Sequence, residues 1–447
     1  MTITRRSLFA AAGSARLAAQ PRRPNIVLLM ADDLGSADLS SYGATDIRTP
    51  HIDSLGREGV RFTRCYANAP ECTPSRAALL TGRYQQRFGG LECAIGVGDV
   101  GRYDEAEWLA ARGELGLPAT EPTLARLLAG RGYDTACFGK WHLGYRDAFS
   151  ANRHGFQEYF GILGGNADYF RHTEEDGARV LRHNGKPVER EGYLTDLIGA
   201  SSVDWLKKRS RNPFFLYVPF SAPHSPFQSH RTRDIPAGGW NKGGRKTYAE
   251  MVEAMDTQVG AILAQLDRME AAANTWVIFL SDNGGTGVGS NRPLRGSKSS
   301  VWEGGIRTPC LMRWPGMFRP RSETRQVSLM MDISASILAA TGEPAKGLDG
   351  MNLLETWRGG AALRPRTVFF RYRRAQNTRK AVLHGDWKLV SDNGREELHH
   401  LAEDGNEEHD RLASESAVAQ DLRTRLAGWE REVRSPRLKE FYASRGA

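Results

Sequence analysis

Between Pro24 and the acidic pair Asp32-Asp33 runs Asn25-Ile26-Val27-Leu28-Leu29-Met30, apolar in every residue after the first. A strand with one wet face alternates apolar and polar side chains, whereas an unbroken apolar run is expected of a strand buried on both faces. Such a strand has to be covered on both sides, and helix crossovers provide that cover. The same grammar recurs along the chain. Helical patterns at Thr73–Thr81 (closed by Gly82), Glu121–Gly130, Ser201–Arg209 and Tyr248–Ala271 are interleaved with apolar runs at Tyr133–Phe138, Phe214–Phe220 and Trp276–Leu280. The expectation is an α/β fold whose mostly parallel central sheet is sandwiched by helices. In such sheets ligands gather beyond the carboxyl ends of the strands, where Asp32 and Asp33 fall.

After about Thr341 the character changes, with short strands expected at Thr367–Arg371, Lys380–Leu383 and Trp387–Val390 and a helix over Ser416–Val433. This predicts a main α/β unit over 21–341 and a smaller C-terminal α+β subdomain over 342–447. No apolar stretch approaches the roughly 18 residues of a membrane span. Five cysteines, an odd number with no CxxC pair, fit neither a disulfide framework nor a structural zinc. The net charge of +9 rests mainly on arginine, with only 11 lysines in the chain, and suits anionic ligands. No nucleic-acid-binding motif accompanies it. At the N-terminus Arg5-Arg6-Ser7-Leu8-Phe9, an Ala-rich stretch and Leu17-Ala18-Ala19 resemble a twin-arginine export signal over residues 1–20, which implies a periplasmic or secreted protein. A cytoplasmic tail is the alternative.

The densest string is Cys72-Thr73-Pro74-Ser75-Arg76-Ala77-Ala78-Leu79-Leu80-Thr81-Gly82-Arg83. Pro74 suits a first helical turn, so Cys72 lies at a helix N-terminus, where amides and dipole favour a negative group. Arg76, one turn in, can reach back with a planar fork. Asp32-Asp33 and Ser281-Asp282-Asn283-Gly284-Gly285 each follow a buried strand and together offer hard oxygen donors for Ca²⁺ or Mg²⁺. In Phe138-Gly139-Lys140-Trp141-His142-Leu143-Gly144, Lys140 and His142 are two residues apart and can face one site. His224 lies between Pro223 and Ser225-Pro226, and Lys298 lies in the segment Leu294–Pro309. Taken singly, each has a plainer reading: a structural thiol, a solvated acidic loop, a surface lysine. Arg371, Arg373 and Arg374 read as a solvated basic face or as substrate contacts, and His172 or Asp168 as possible pocket lining.

As a set these motifs, in this order and spread from about Asn25 to Arg411, resemble the sulfatase family. The resemblance implies an alkaline phosphatase-like fold and hydrolysis of sulfate esters. It implies that a formylglycine-generating enzyme converts Cys72 to formylglycine, and that Asp32, Asp33, Cys72, Asp282 and Asn283 hold a divalent cation, usually calcium. The hydrated aldehyde would attack sulfur through one hydroxyl and release sulfate through the other. Arg76, Lys140 and Lys298 would balance charge on the sulfuryl oxygens, His224 with Lys298 would assist the leaving alkoxide, and His142 would accept the second hydroxyl's proton. The implied substrate is a sulfated small molecule or glycan, with a carbohydrate favoured. Two alternatives are a phosphonate or phosphate ester hydrolase of the same superfamily and a non-catalytic protein that binds sulfated glycans.

Overall fold

The computed structural model describes residues 23–209, 212–235, 238–342 and 346–446. The export-like segment over residues 1–20 lies outside them. The first strand, β1 (Asn25–Ala31), is buried along its whole length. β2 (Val60–Phe62), β3 (Cys65–Tyr66), β4 (Asp134–Phe138), β5 (Glu158–Ile162), β6 (Leu181–His183) and β7 (Lys186–Pro187) follow. Next come β8 (Phe214–Pro219), β9 (Thr275–Ser281), β10 (Cys310–Arg313), β11 (Ser322–Thr324) and β12 (Ser328–Leu329). Ten of these form one sheet in the order β11-β2-β10-β9-β1-β8-β4-β5-β6-β7. Its central strands β9, β1, β8, β4 and β5 run parallel, while β10, β6 and β7 pair antiparallel toward the two margins.

The apolar run of β1 serves two cores at once, because successive side chains point to opposite faces. Val27, Leu29 and Ala31 pack with the helices Pro50–Arg57, Leu194–Lys207 and Arg245–Arg268. Ile26, Leu28 and Met30 pack with the helices Cys72–Thr81, Leu124–Ala129 and Met330–Ala340. β1 is flanked by β8 and β9 in parallel, with Met30 opposite Pro219 and Ala31 opposite Ser281. The three strands therefore end level with one another. Asp32 N–H donates to the Ala222 carbonyl at 3.0 Å and Asp282 N–H to the Ala31 carbonyl at 3.1 Å, so the segments that follow emerge side by side.

The elements differ from expectation at identifiable points. The helix expected from Glu121 begins at Leu124, because the Thr123 side chain caps it by accepting from Arg126 N–H. Glu121 pairs instead with Arg83 at 2.9 Å. The helix expected from Ser201 begins a turn and more earlier, at Leu194. Ser202 is a mid-helix residue whose hydroxyl donates back to the Ile198 carbonyl. Gly199, which resembles a breaker, permits close packing: a Cβ there would come within 2.2 Å of Gln258 Oε1 on the neighbouring helix. The helix Met330–Ala340 was not anticipated.

Beyond it, β13 (Thr367–Arg374), β14 (Asn377–His384), β15 (Trp387–Asp392) and β16 (Arg395–His400) form an antiparallel four-stranded sheet, one strand more than expected. The helix Ser416–Glu432 lies on it, with Trp429 stacked on Phe369 at 5.1 Å. This sheet shares its apolar core with the main body. A buried charge cluster also ties the two: Lys388 Nζ on β15 meets Glu303 at 2.9 Å and Glu407 at 2.7 Å, all three side chains essentially closed to water. Burial pushes the Glu407 carboxyl up to about 7, against the pull of Lys388 and with Glu303 adding to it. Removing the lysine alone would strand two buried acids. Lys388→Met should therefore lower stability by about 3–5 kcal/mol in urea unfolding. A loss below about 1 kcal/mol, the worth of an exposed pair, would show the cluster to be wet.

Candidate active site

The level strand ends bring Asp32, Asp33, Asp282 and Asn283 together from β1 and β9, and the helix Cys72–Thr81 points its N-terminus at them. Cys72 Sγ lies 3.3 Å from Asp32 Oδ1, 4.0 Å from Asp33 Oδ1 and 3.5 Å from Lys298 Nζ. Asp33 and His142 hold positive φ, 64° and 56°, as does Ser299 beside Lys298 at 70°. Non-glycine residues rarely adopt this conformation outside sites that impose it. Asp33 N–H donates to Asp282 Oδ1 at 3.2 Å and Asn283 Nδ2 to Asp33 Oδ1 at 2.8 Å, which locks the two strand ends into one cluster.

Three carboxylates face three cations. Arg76 presents its fork to Asp282 through Nε at 2.9 Å and Nη2 at 2.8 Å and approaches Asp32 at 3.6 Å. Its third nitrogen donates to the Lys140 carbonyl at 3.0 Å. Lys140 Nζ meets Asp32 at 2.6 Å, and Lys298 Nζ meets Asp33 at 2.7 Å. Burial pushes the Asp32 carboxyl up to about 7, opposed by Lys140. Asp33 is also buried, yet Lys298 and His224 outweigh that and hold it well below the usual carboxylate range. Burial likewise drives the Cys72 thiol far up, with Asp282 and Asp32 adding to it, so this cysteine is not a poised thiolate.

Both histidines stay neutral. Burial lowers His224 to about 3 although Asp33 lies 3.4 Å away. Burial, with Lys140, drives His142 well below its ordinary value. His142 Nε2 is 3.0 Å from the Ile95 carbonyl, which only a protonated Nε2 can satisfy, so Nδ1 carries the lone pair. That Nδ1 is buried and has no hydrogen-bond partner among the described residues. The side chains of Lys298 and His224 are 17% and 14% exposed while Arg76 and Lys140 are fully closed, so the site opens on the Lys298–His224 side.

The donors suit a hard cation. Ligand atoms of Asp32, Asp33, Cys72 and His224 all lie within 4.8 Å of one another. Asn283 Oδ1 is a buried acceptor with no hydrogen bond among the described residues, the kind of atom a cation would satisfy. With three acids against three bases the cluster is balanced, so a divalent cation would give the site a surplus of two positive charges toward an anionic ligand.

Several contributors carry no signal in the sequence. Glu71, next to Cys72 and almost fully buried, accepts from Ala94 N–H at 2.6 Å and from Ser299 Oγ at 2.7 Å. Thr73 Oγ1 donates to the His142 carbonyl at 2.9 Å and accepts from Ile95 N–H at 3.2 Å. Neither Asp168 nor His172 contributes to this cluster. Asp168 Oδ1 caps its own turn at Phe170 and Arg171, and its Oδ2 accepts from Gln228. His172 lines a separate 290 Å³ cavity. Arg371 and Arg373 are not a solvated face: they pair with Glu92 and Glu430, and with Asp104 and Glu105. A Cβ on Gly165 would stand 2.9 Å from His142 Cε1. Gly165→Ala should thus displace the imidazole and lower kcat by about tenfold, roughly 1.4 kcal/mol of barrier. Melting should change little, and an unaltered kcat would mean that His142 adjusts freely or does no catalytic work.

The sulfatase family model matches residues 24–343. Mouse steryl-sulfatase is 32% identical over 83% of this chain and 71% of its own length. Human N-acetylgalactosamine-6-sulfatase is 34% identical over 78% of this chain and 68% of its own. Among solved structures, that of Ps i-CgsB superposes with a TM-score of 0.81 at 31% identity, covering 91% of this chain and 93% of that one. The same protein in complex with k-i-k-neocarrahexaose gives 0.82 at 30% identity.

Proposed function

The chain belongs to the sulfatase family and is a sulfate-ester hydrolase, and on that premise we propose that it removes sulfate from sulfated carbohydrates with Cys72 as the precursor of its nucleophile. The observation that carries this reading is the convergence of Cys72 Sγ, two strand-end carboxylates and Lys298 within 4.0 Å. The carbohydrate reading is supported by two relatives: one named for an N-acetylgalactosamine 6-sulfate, the other crystallised with a k-i-k-neocarrahexaose.

In this proposal Cys72, within Cys72-Thr73-Pro74-Ser75-Arg76, is converted by a formylglycine-generating enzyme. Formylglycine supplies a nucleophile that can shed sulfate by elimination, which serine or cysteine cannot. Asp32, Asp33, Asp282 and Asn283, with position 72, would hold Ca²⁺ or, as an alternative, Mg²⁺, which supplies Lewis acidity and charge for the sulfuryl oxygens.

The other side chains act by position. Arg76 and Lys140, closed to water and fixed by the acids beside them, stabilise negative charge as it spreads over the transferred group. Lys298, at the mouth, does the same on the leaving-group side and, with His224, assists the departing alkoxide. His142, neutral with its free Nδ1 lone pair, takes the proton that regeneration of the nucleophile releases. Burial keeps water other than the reactant away from these groups.

We read residues 21–341 as the catalytic unit and 342–447 as an appended subdomain that clamps it. We also propose export to the periplasm or medium through the Arg5-Arg6 segment; a full-length chain with an intact N-terminus found only in the cytoplasm would refute it. Among the described residues no helix is long and apolar enough to cross a membrane. Exhaustive chelation should abolish hydrolysis of an aryl sulfate, and added Ca²⁺ should restore it. Asp282→Ala should lower kcat/KM by at least about a hundredfold, the scale of losing a preorganised charge partner. Full activity after chelation would defeat the metal assignment, and a higher efficiency on the matched phosphonate ester would shift the natural substrate to that class.

A further inference from the structure

Most arginines around the site are neutralised within the fold: Arg371 and Arg373 by acids, and Arg379 by Asp392 and the Ser299 carbonyl. Arg102 is different. It is part-buried, and its guanidinium makes no hydrogen bond or ion pair among the described residues. Its Nε lies 3.3 Å from the point that a Cβ on Gly96 would occupy, so the guanidinium lies against the 93–96 segment. The same segment borders the site: Ile95 offers its carbonyl to His142 Nε2, and its N–H is bonded to Thr73 Oγ1. Arg102 is close enough for its charge to act with burial and Lys140 in holding His142 neutral.

A second arginine is brought to the same edge. The Arg102 carbonyl accepts from Ala375 N–H at 2.6 Å, which pins the β13–β14 turn beside it. The preceding residue, Arg374, has a side chain 44% exposed and a single ion pair, to Glu71 at 3.2 Å. Glu71 directly precedes Cys72 and is bonded to Ala94 and to Ser299, the neighbour of Lys298. Of the two arginines only Arg374 has an acid, Glu71, which leaves a positive charge over at the rim and, on Arg102, a fork of unused donors. A guanidinium in that state is suited to a planar or tetrahedral oxyanion.

We propose that Arg102 and Arg374 form a second anion subsite at the rim of the catalytic centre, which takes a further sulfate or carboxylate carried by the same substrate. This rests on the carbohydrate-sulfatase reading and narrows it: the preferred ester is one of a polyanionic sugar, and a singly charged ester leaves Arg102 unsatisfied. The β13–β14 turn then makes the C-terminal sheet part of substrate selection.

The inactive Cys72→Ala protein allows binding to be measured without turnover. Titration calorimetry would use matched disaccharides carrying one sulfate, two sulfates, or one sulfate and a uronate carboxylate. The doubly charged ligands should bind about tenfold more tightly at low salt, with the advantage shrinking as ionic strength rises. Adding Arg102→Gln or Arg374→Gln should remove most of that advantage, and in the active enzyme the loss should fall on KM rather than kcat. The Arg102 guanidinium holds no partner among the described residues, so its replacement should leave the melting temperature nearly unchanged. Advantage for the disulfate alone would assign the subsite to sulfate, and advantage for both ligands to any oxyanion. Equal binding of all three ligands, or an advantage that survives both replacements, would overturn the subsite. Hydrolysis of 4-nitrophenyl sulfate by the unmutated enzyme tests the underlying reading separately.

Discussion

The arrangement of the whole molecule depends on keeping three carboxylates and three cations out of water at the ends of two neighbouring strands. An isolated buried acid or base is costly, and here each is answered: Asp282 by the fork of Arg76, Asp32 by Lys140, Asp33 by Lys298. These six groups come from five separate stretches of chain, so none of these contacts forms until the sheet, the Cys72–Thr81 helix and the 295–303 segment have docked. Register does the rest. With β1, β8 and β9 ending level, the acids arrive together, and the helix N-terminus and Lys298 close over them.

The outer structure reads as support for that centre. The segment carrying Lys298 is held by the C-terminal sheet at several points: Arg295 to Glu397, Arg379 to the Ser299 carbonyl, and Lys388 to Glu303. Glu71, the residue that precedes Cys72, accepts from Ser299, Tyr372 and Arg374. The four-stranded sheet is therefore less an appendage than a clamp, although its own core follows ordinary antiparallel alternation, with Val368, Phe370 and Tyr372 buried in turn along β13.

What could be read from the sequence follows from which constraints are local. The run at Ile26–Met30 is explicit about two-sided burial, and the acids that follow it are where a parallel sheet puts ligands. The motif side chains read as one site through the family resemblance, and several of them, such as Asp32, Asp282 and Cys72, also follow a recognisable strand end or begin a helix. What escaped depends on tertiary contact. Glu71 looks like any acid before a helix until Ala94 and Ser299 are folded against it. Arg371 and Arg373 look solvated until Glu92 and Asp104 are brought to them. Gly199 resembles a helix boundary because the packing that requires it belongs to another helix, and Ser202 does because its hydroxyl turns back to the Ile198 carbonyl only once the helix has formed. The helix Met330–Ala340 is buried almost throughout, so it has no polar face from which a period could be read.

The centre is built around position 72, and burial pushes the thiol there so far up that an unmodified cysteine would be a poor nucleophile. The most direct test is mass spectrometry of the peptide spanning Cys72 in active enzyme. It should run about 18 Da lighter than the cysteine form, the reverse of the gain that thiol oxidation brings. Carbonyl reagents should then inactivate the enzyme and alkylating agents should not. A fully active preparation whose Cys72 is quantitatively alkylated, with no lighter species, would contradict the account.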